Sequence, residues 1–147
     1  MGKTKTEQEG IPQQIWYIGF RPVPKQLPRP WRWFIHKNFS HVLAFRYDPK
    51  HEVWIFLEWS GMTVFAEIWE GKEMDSLFTW LKHDGALVSY EARHNPSEII
   101  KLRMPFYCVS WVKHLLGLRN CIAMTPYQLY KELIKRGGTV IYNGGDR

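Results

Sequence analysis

Three runs of β-branched and aromatic residues dominate the middle of the chain, over 41–47, 53–59 and 63–69. Polar or glycine-containing stretches separate them at 48–51 and 60–62. Stretches of that composition between such runs are typical of tight turns. The pattern therefore predicts an antiparallel meander of three strands.

Shorter patterns on both sides of the meander predict a mixed α+β fold, in which an antiparallel sheet packs against helices. Further strands are expected over 15–20, 86–93, 99–106 and 139–142. Helices are expected over 73–83, over 108–116, and from Thr125 to Gly137-Gly138. Each predicted helix stops at or near a glycine, and the last opens with a capping-box sequence that has proline at its first helical position.

The composition is that of one densely packed domain, since 45% of the 147 residues are hydrophobic and 16% are aromatic. We expect a polar arm over 1–14 and a single domain over 15–147. The chain has no apolar run long enough to span a membrane, and its N-terminus lacks the apolar core of a signal peptide. It is therefore expected to be cytoplasmic as synthesised.

The formal net charge of +6 is scattered along the chain. Only 21–32 interleaves basic and aromatic residues, and its prolines exclude a helix or a central strand. We favour a solvated, proline-stiffened loop there over a nucleic-acid groove. No specific nucleic-acid partner is expected.

The chain has two cysteines, Cys108 and Cys121, without a CxxC spacing. Cys108 stands at the predicted start of a helix, where the positive end of the helix dipole favours the nucleophilic thiolate. Cys121 is interpreted as a small buried hydrophobe, with a Cys108–Cys121 disulfide as the alternative. A structural zinc site is disfavoured by the spacing, and no metal or cofactor is expected.

A partner for Cys108 is suggested by the first hairpin. If Asp48 faces His51 across the turn, His41 faces Glu58 at the open end, with Cβ atoms roughly 4.5–5.5 Å apart. A carboxylate there would orient the imidazole and raise its basicity. The alternatives are a structural histidine and a buried, inert thiol. A one-residue slip in register would separate the histidine from the glutamate.

The other histidines show no metal-binding pattern: His36, His51, His83, His94 and His114. His51 is a weaker candidate for the base, because the predicted register puts it at the turn and away from His41.

Two segments resemble the papain-like fold in its circularly permuted NlpC-type form. They are Ser40-His41-Val42-Leu43-Ala44 and Tyr107-Cys108-Val109-Ser110-Trp111, and the resemblance covers about 40–117. The histidine strand precedes the cysteine helix, as in the permuted group, which includes phage and bacterial cell-wall amidases and relatives of lecithin–retinol acyltransferase. The acyltransferase branch favours Asn-Cys-Glu-His, which this chain lacks, so the resemblance favours amide hydrolysis.

The resemblance implies that Cys108 is the nucleophile, His41 the general base and Glu58 the third member of a catalytic site. It also implies that the backbone N–H of Cys108 contributes to an oxyanion hole. The first hypothesis is a cysteine peptidase or amidase, acting on a peptidoglycan peptide or a protein. The second is a non-catalytic bacteriophage virion or cell-envelope assembly module on the same fold, whose partners would be other proteins.

Overall fold

The computed structural model describes residues 14–22, 39–60, 63–92 and 107–144. These residues form six strands and three helices. In chain order they are β1 (Gln14–Arg21), β2 (His41–Asp48), β3 (Val53–Ser60), β4 (Thr63–Trp69), α1 (Gly71–Asp84), β5 (Ala86–Ala92), α2 (Cys108–Leu115), α3 (Pro126–Lys135) and β6 (Thr139–Asn143).

The strands form one sheet in the order β4-β3-β2-β1-β5-β6, and every neighbouring pair is antiparallel. The described part of the chain is thus mixed α+β, as the sequence predicts. The predicted meander is confirmed as β2, β3 and β4. The strands predicted before and after it in the chain are confirmed as β1, β5 and β6. The strand predicted at 99–106 and most of the arm and of the proline-rich stretch lie outside the described residues.

The predicted helices are confirmed as α1, α2 and α3, with ends within a few residues of those expected. At the start of α3, the Thr125 hydroxyl accepts a hydrogen bond from the Gln128 backbone N–H, and the Gln128 side chain accepts one from the Thr125 backbone N–H. No helix in the described part of the chain has both the length and the hydropathy needed to cross a lipid bilayer.

One face of the sheet packs against α1. The apolar positions of α1 recur at helical spacing, so they form a single stripe that meets the sheet. The buried residues of this layer are Leu43, Phe45, Phe56 and Leu87 of the sheet and Met74, Leu77 and Leu81 of α1. Burying a side chain of this size contributes about 1.5–3 kcal/mol relative to leaving it in water.

The opposite face packs against α2 and α3. Because successive strand residues point to opposite faces, this layer uses the alternate positions of the same strands. Its buried residues include Ile18, Phe20, Val42, Ala44 and Val88 of the sheet, Val109 and Val112 of α2, and Leu129 and Leu133 of α3. The sheet therefore separates α1 from the two later helices.

The predicted register of the first hairpin is wrong by two residues. Asp48 pairs with Val53 rather than with His51, and Leu43 rather than His41 faces Glu58. The Asp48 carboxylate accepts hydrogen bonds from the Lys50 backbone and the His51 ring, at 3.0 Å and 2.7 Å. These bonds favour a longer loop than the predicted two-residue turn. The Asp48 side chain takes the place of a backbone acceptor and so stabilises the turn.

Candidate active site

The site begins where β1 ends and β2 begins. Arg21, the last residue of β1, is the register partner of His41, the first residue of β2. Ser40 joins the end of β1 to the start of β2 at this corner. Its backbone N–H donates to the Arg21 carbonyl at 2.7 Å, and its hydroxyl donates to the Pro22 carbonyl at 2.8 Å. The corner thus places a guanidinium and an imidazole on adjacent strands at the same end of the sheet.

Both groups bind the same carboxylate oxygen. His41 Nε2 lies 3.1 Å from Glu58 Oε1, and Arg21 Nη1 lies 2.9 Å from that oxygen. The Glu58 side chain is 19% exposed, so its charge is largely removed from water and needs these partners. The predicted contact between His41 and Glu58 is therefore present, but it is diagonal across the hairpin rather than directly facing.

Cys108 is the first residue of α2 and is half-buried. The Ser110 hydroxyl accepts a hydrogen bond from the Tyr107 backbone N–H at 2.9 Å, and the Trp111 N–H closes the first turn onto the Tyr107 carbonyl at 3.0 Å. The backbone N–H groups of residues 108–110 lie before the first hydrogen bond of the helix, so they have no acceptor within the helix. The thiol therefore stands beside backbone donors at the positive end of α2.

The two cysteines differ in setting, and neither is in a disulfide. Cys121 is only 8% exposed and belongs to the apolar core beneath α2 and α3, as expected of a small buried hydrophobe. The disulfide alternative is therefore not formed. Burial raises the pKa of the Tyr107 phenol, and electrostatic contributions from Cys108 and Cys121 act in the same direction.

The Cys108 thiol also interacts with the imidazole of His41. Burial by itself lowers the pKa of His41, but the hydrogen bonds and negative charges of Cys108 and Glu58 outweigh it and raise that pKa to about 9. Since Nε2 faces Glu58, Nδ1 is the ring nitrogen that remains for the sulfur. The three predicted residues are thus brought together as sulfur, imidazole and carboxylate.

The three residues come from different layers of the molecule. Strand alternation assigns Arg21, His41 and Glu58 to the face covered by α1, whereas Cys108 opens α2 on the other face. His41 can contact both sides because it is the first residue of its strand, at the end of the sheet. The site is therefore a junction between the two layers rather than a cluster on one face.

Two parts of this arrangement are missed by the sequence reasoning, Arg21 and Trp80. The Arg21 guanidinium carbon lies 5.5 Å from the centroid of the Trp80 ring in α1, besides its contact with Glu58. The hydrogen bond from His41 lowers the pKa of Glu58, and the positive charges of Arg21 and His41 lower it further. Composition places Arg21 in a basic, proline-rich stretch, and no local pattern indicates its pairing with β2.

The remaining candidates lie elsewhere. His51 binds Asp48 at the exposed hairpin loop, so it is not the base for Cys108. Within the described ranges, no three His, Cys, Asp or Glu side chains are grouped to hold a metal ion. Two surface depressions, one along α1 that includes Trp80 and one along α3 that includes Lys131, have no member of the triad in their lining.

Comparison of the chain with known protein families, with curated proteins and with solved structures found no match. Function is therefore inferred from the residues themselves and from their geometry.

Proposed function

We propose that this protein is a cysteine hydrolase that cleaves an amide bond, with Cys108 as nucleophile, His41 as acid and base, and Glu58 as the group that orients the imidazole. The observation that carries the proposal is the double interaction of His41, with Cys108 and with Glu58. A nucleophile, a base and an orienting group in hydrogen-bonded sequence are the signature of covalent catalysis by a cysteine.

Acylation would proceed from a Cys108 thiolate beside His41, which a pKa of about 9 keeps protonated at neutral pH. The sulfur attacks the amide carbonyl and forms a C–S bond, while the carbonyl oxygen takes the negative charge. Backbone N–H groups in the first turn of α2 would stabilise that oxyanion. His41 then donates its proton to the leaving nitrogen as the C–N bond breaks, which leaves a thioester and a free amine.

Deacylation would use His41 as a base. The neutral imidazole takes a proton from water, the resulting hydroxide attacks the thioester carbonyl, and the C–S bond breaks to release a carboxylic acid and the thiolate. General acid–base assistance of this kind typically contributes about 10²–10⁴-fold to the rate. Glu58 would keep Nε2–H oriented in both steps, so that Nδ1 stays directed at the reacting atoms.

Two further features support a papain-like fold of the permuted NlpC type. The histidine begins a strand of an antiparallel sheet. The cysteine begins a helix that comes later in the chain than that strand and packs on the sheet. The amide substrate that this resemblance suggests is a peptidoglycan stem peptide or a protein.

The test combines covalent trapping with hydrolysis. Full-length protein is incubated with a peptide chloromethyl ketone, and separately with purified peptidoglycan and a denatured protein as substrates. We expect one adduct on Cys108, by mass spectrometry of the digested protein, and release of new amino groups that Cys108→Ala abolishes.

The matched control is Cys121→Ala, which should keep both the adduct and the hydrolysis. Equal and slow modification of both cysteines, with no amine released, would favour the alternative of a non-catalytic assembly module.

A further inference from the structure

Arg21 makes more contacts than the triad described above requires. It shares Glu58 Oε1 with His41, and its guanidinium lies over Trp80 of α1. Its Nε atom is buried without a hydrogen-bond partner. A buried donor left unpaired is costly, so the position of this guanidinium is held by its other contacts rather than by full hydrogen bonding.

We propose that Arg21, held against Trp80, is a positioning residue that fixes the Glu58 carboxylate against His41. This inference rests on the proposed function, because it assigns the residue that holds the third member of that site. The atoms that carry it are Arg21 Nη1 and Glu58 Oε1, 2.9 Å apart, at a carboxylate that is 19% exposed.

The physical reason is that a half-buried glutamate on a strand has several rotamers, and only some place Oε1 near His41 Nε2. A guanidinium donates in a fixed, planar geometry, so binding it restricts the carboxylate more than a lysine would. The Trp80 ring supplies a flat surface on which the guanidinium rests. These contacts connect α1 to Glu58 on one face of the sheet. On the other face, α2 supplies the nucleophile, Cys108.

The charged groups that act on Glu58 come from two strands: Arg21 from β1 and His41 from β2. From β4, the register partner of Glu58 is Phe65, which carries no charge. From α2, Cys108 acts on His41 rather than on Glu58 directly. Removing the Arg21 charge therefore removes one of the two positive charges that favour the ionised Glu58 among the described residues.

The experiment follows the side-chain carboxyl carbon of Glu58 by ¹³C NMR through a pH titration, with Glu58→Gln to assign the signal. The variants are Arg21→Met, which removes the charge, and Arg21→Lys, which keeps a charge without the planar fork. The matched control is Arg46→Met, since Arg46 also rests on a tryptophan, 5.4 Å from the Trp16 ring centroid, in the same sheet. Trp80→Leu serves as a second variant that leaves Arg21 in place.

In Arg21→Met, we expect Glu58 to titrate at a higher pH than in the wild type, with Arg21→Lys and Trp80→Leu in between and Arg46→Met unchanged. The rate of Cys108 carbamidomethylation should fall in the same order, by up to about a hundredfold, as expected when a group in a site is misplaced by about 1 Å.

A wild-type titration of Glu58 in folded Arg21→Met, or in both Arg21→Lys and Trp80→Leu if Arg21→Met does not fold, would overturn the inference. The hydrolysis assay decides the proposed function separately. If the Glu58 titration shifts in Arg21→Met but the wild type has no hydrolase activity, the positioning role of Arg21 stands and the proposed enzyme is rejected. If the wild type hydrolyses its substrate but the Glu58 titration does not shift, the enzyme stands and the positioning role is rejected.

Discussion

His41 Nε2 lies 3.1 Å from Glu58 Oε1, although these residues do not face each other across the β2–β3 hairpin. Leu43 occupies the facing position, and His41 reaches the carboxylate along the diagonal. Diagonal neighbours on one face remain within reach for long side chains. The contact is therefore robust to the two-residue shift in register, because such a shift keeps both side chains on the same face.

The first prediction concerns the two thiols. At pH 6, iodoacetamide should modify Cys108 at least about tenfold faster than Cys121, because Cys108 is partly exposed beside a cationic imidazole and Cys121 is buried in the core. Peptide mass spectrometry of timed samples measures both rates in one experiment. His41→Ala should slow the modification of Cys108, whereas His51→Ala, at the exposed end of the same hairpin, should not. Equal rates for the two thiols would contradict this.

The second prediction concerns the pKa of His41. Cys108→Ala and Glu58→Gln should each lower it from about 9. The first removes the interaction with the sulfur, and the second removes a negative charge that favours the imidazolium. NMR titration of the ring proton signals measures the change. Glu67→Gln, on the neighbouring strand, should leave the titration of His41 where it is in the wild type. A His41 pKa that stays near 9 in Cys108→Ala would show that the sulfur is not its partner.

The third prediction follows from the same pKa values through the linkage between protonation and folding. The pKa of His41 rises from 6.5 to about 9 on folding, so its stabilisation is complete below pH 6.5 and is lost as the pH rises through about 9. At pH 6, His41→Ala should lower the free energy of unfolding by about 1–3 kcal/mol, and urea titrations at several pH values should show that difference shrinking toward pH 9. A difference that is constant between pH 6 and pH 9.5 would refute it.

The fourth prediction applies the same reasoning to Glu58 with the opposite sign. Its pKa is lowered on folding, so its stabilisation is present above its ordinary value of 4.5 and is lost as the pH falls through its value in the folded protein. Glu58→Gln should therefore destabilise the protein at pH 6 and have progressively less effect at acidic pH. Urea titrations of the wild type and the variant measure this. A cost that grows on acidification would be inconsistent with an ionised, paired Glu58.

The fifth prediction tests the layer that supports α2. Leu129→Ala should destabilise the protein by about 2–5 kcal/mol, because Leu129 is fully buried between α3 and the sheet and its loss leaves a cavity. Ile134→Ala in the same helix is the matched control, since that side chain is 38% exposed and its truncation should cost less than about 1.5 kcal/mol. Chemical denaturation provides both values. Similar costs at the two positions would mean that α3 does not pack on the sheet as described.

The individual strands and helices of this fold can be predicted from the sequence. Runs of β-branched and aromatic residues predicted the meander, and a glycine close to the end of each predicted helix indicated where it stops. These signals are local, since they depend on the spacing of side chains within one strand, helix or turn. The sequence also indicated Glu58 and Cys108, because a glutamate in an apolar strand requires a partner and a cysteine at a helix start lies at its positive end.

The tertiary structure alone decided how these elements meet. The hairpin register depends on Asp48, whose side chain binds Lys50 and His51 and caps a longer loop than the sequence predicts. The place of Arg21 beside His41 depends on β1 pairing with β2, a contact between segments far apart in the chain. The meeting of Cys108 with His41 depends on how α2 packs on the sheet. Such contacts are selected by the burial of the whole core, so no periodicity within a single segment encodes them.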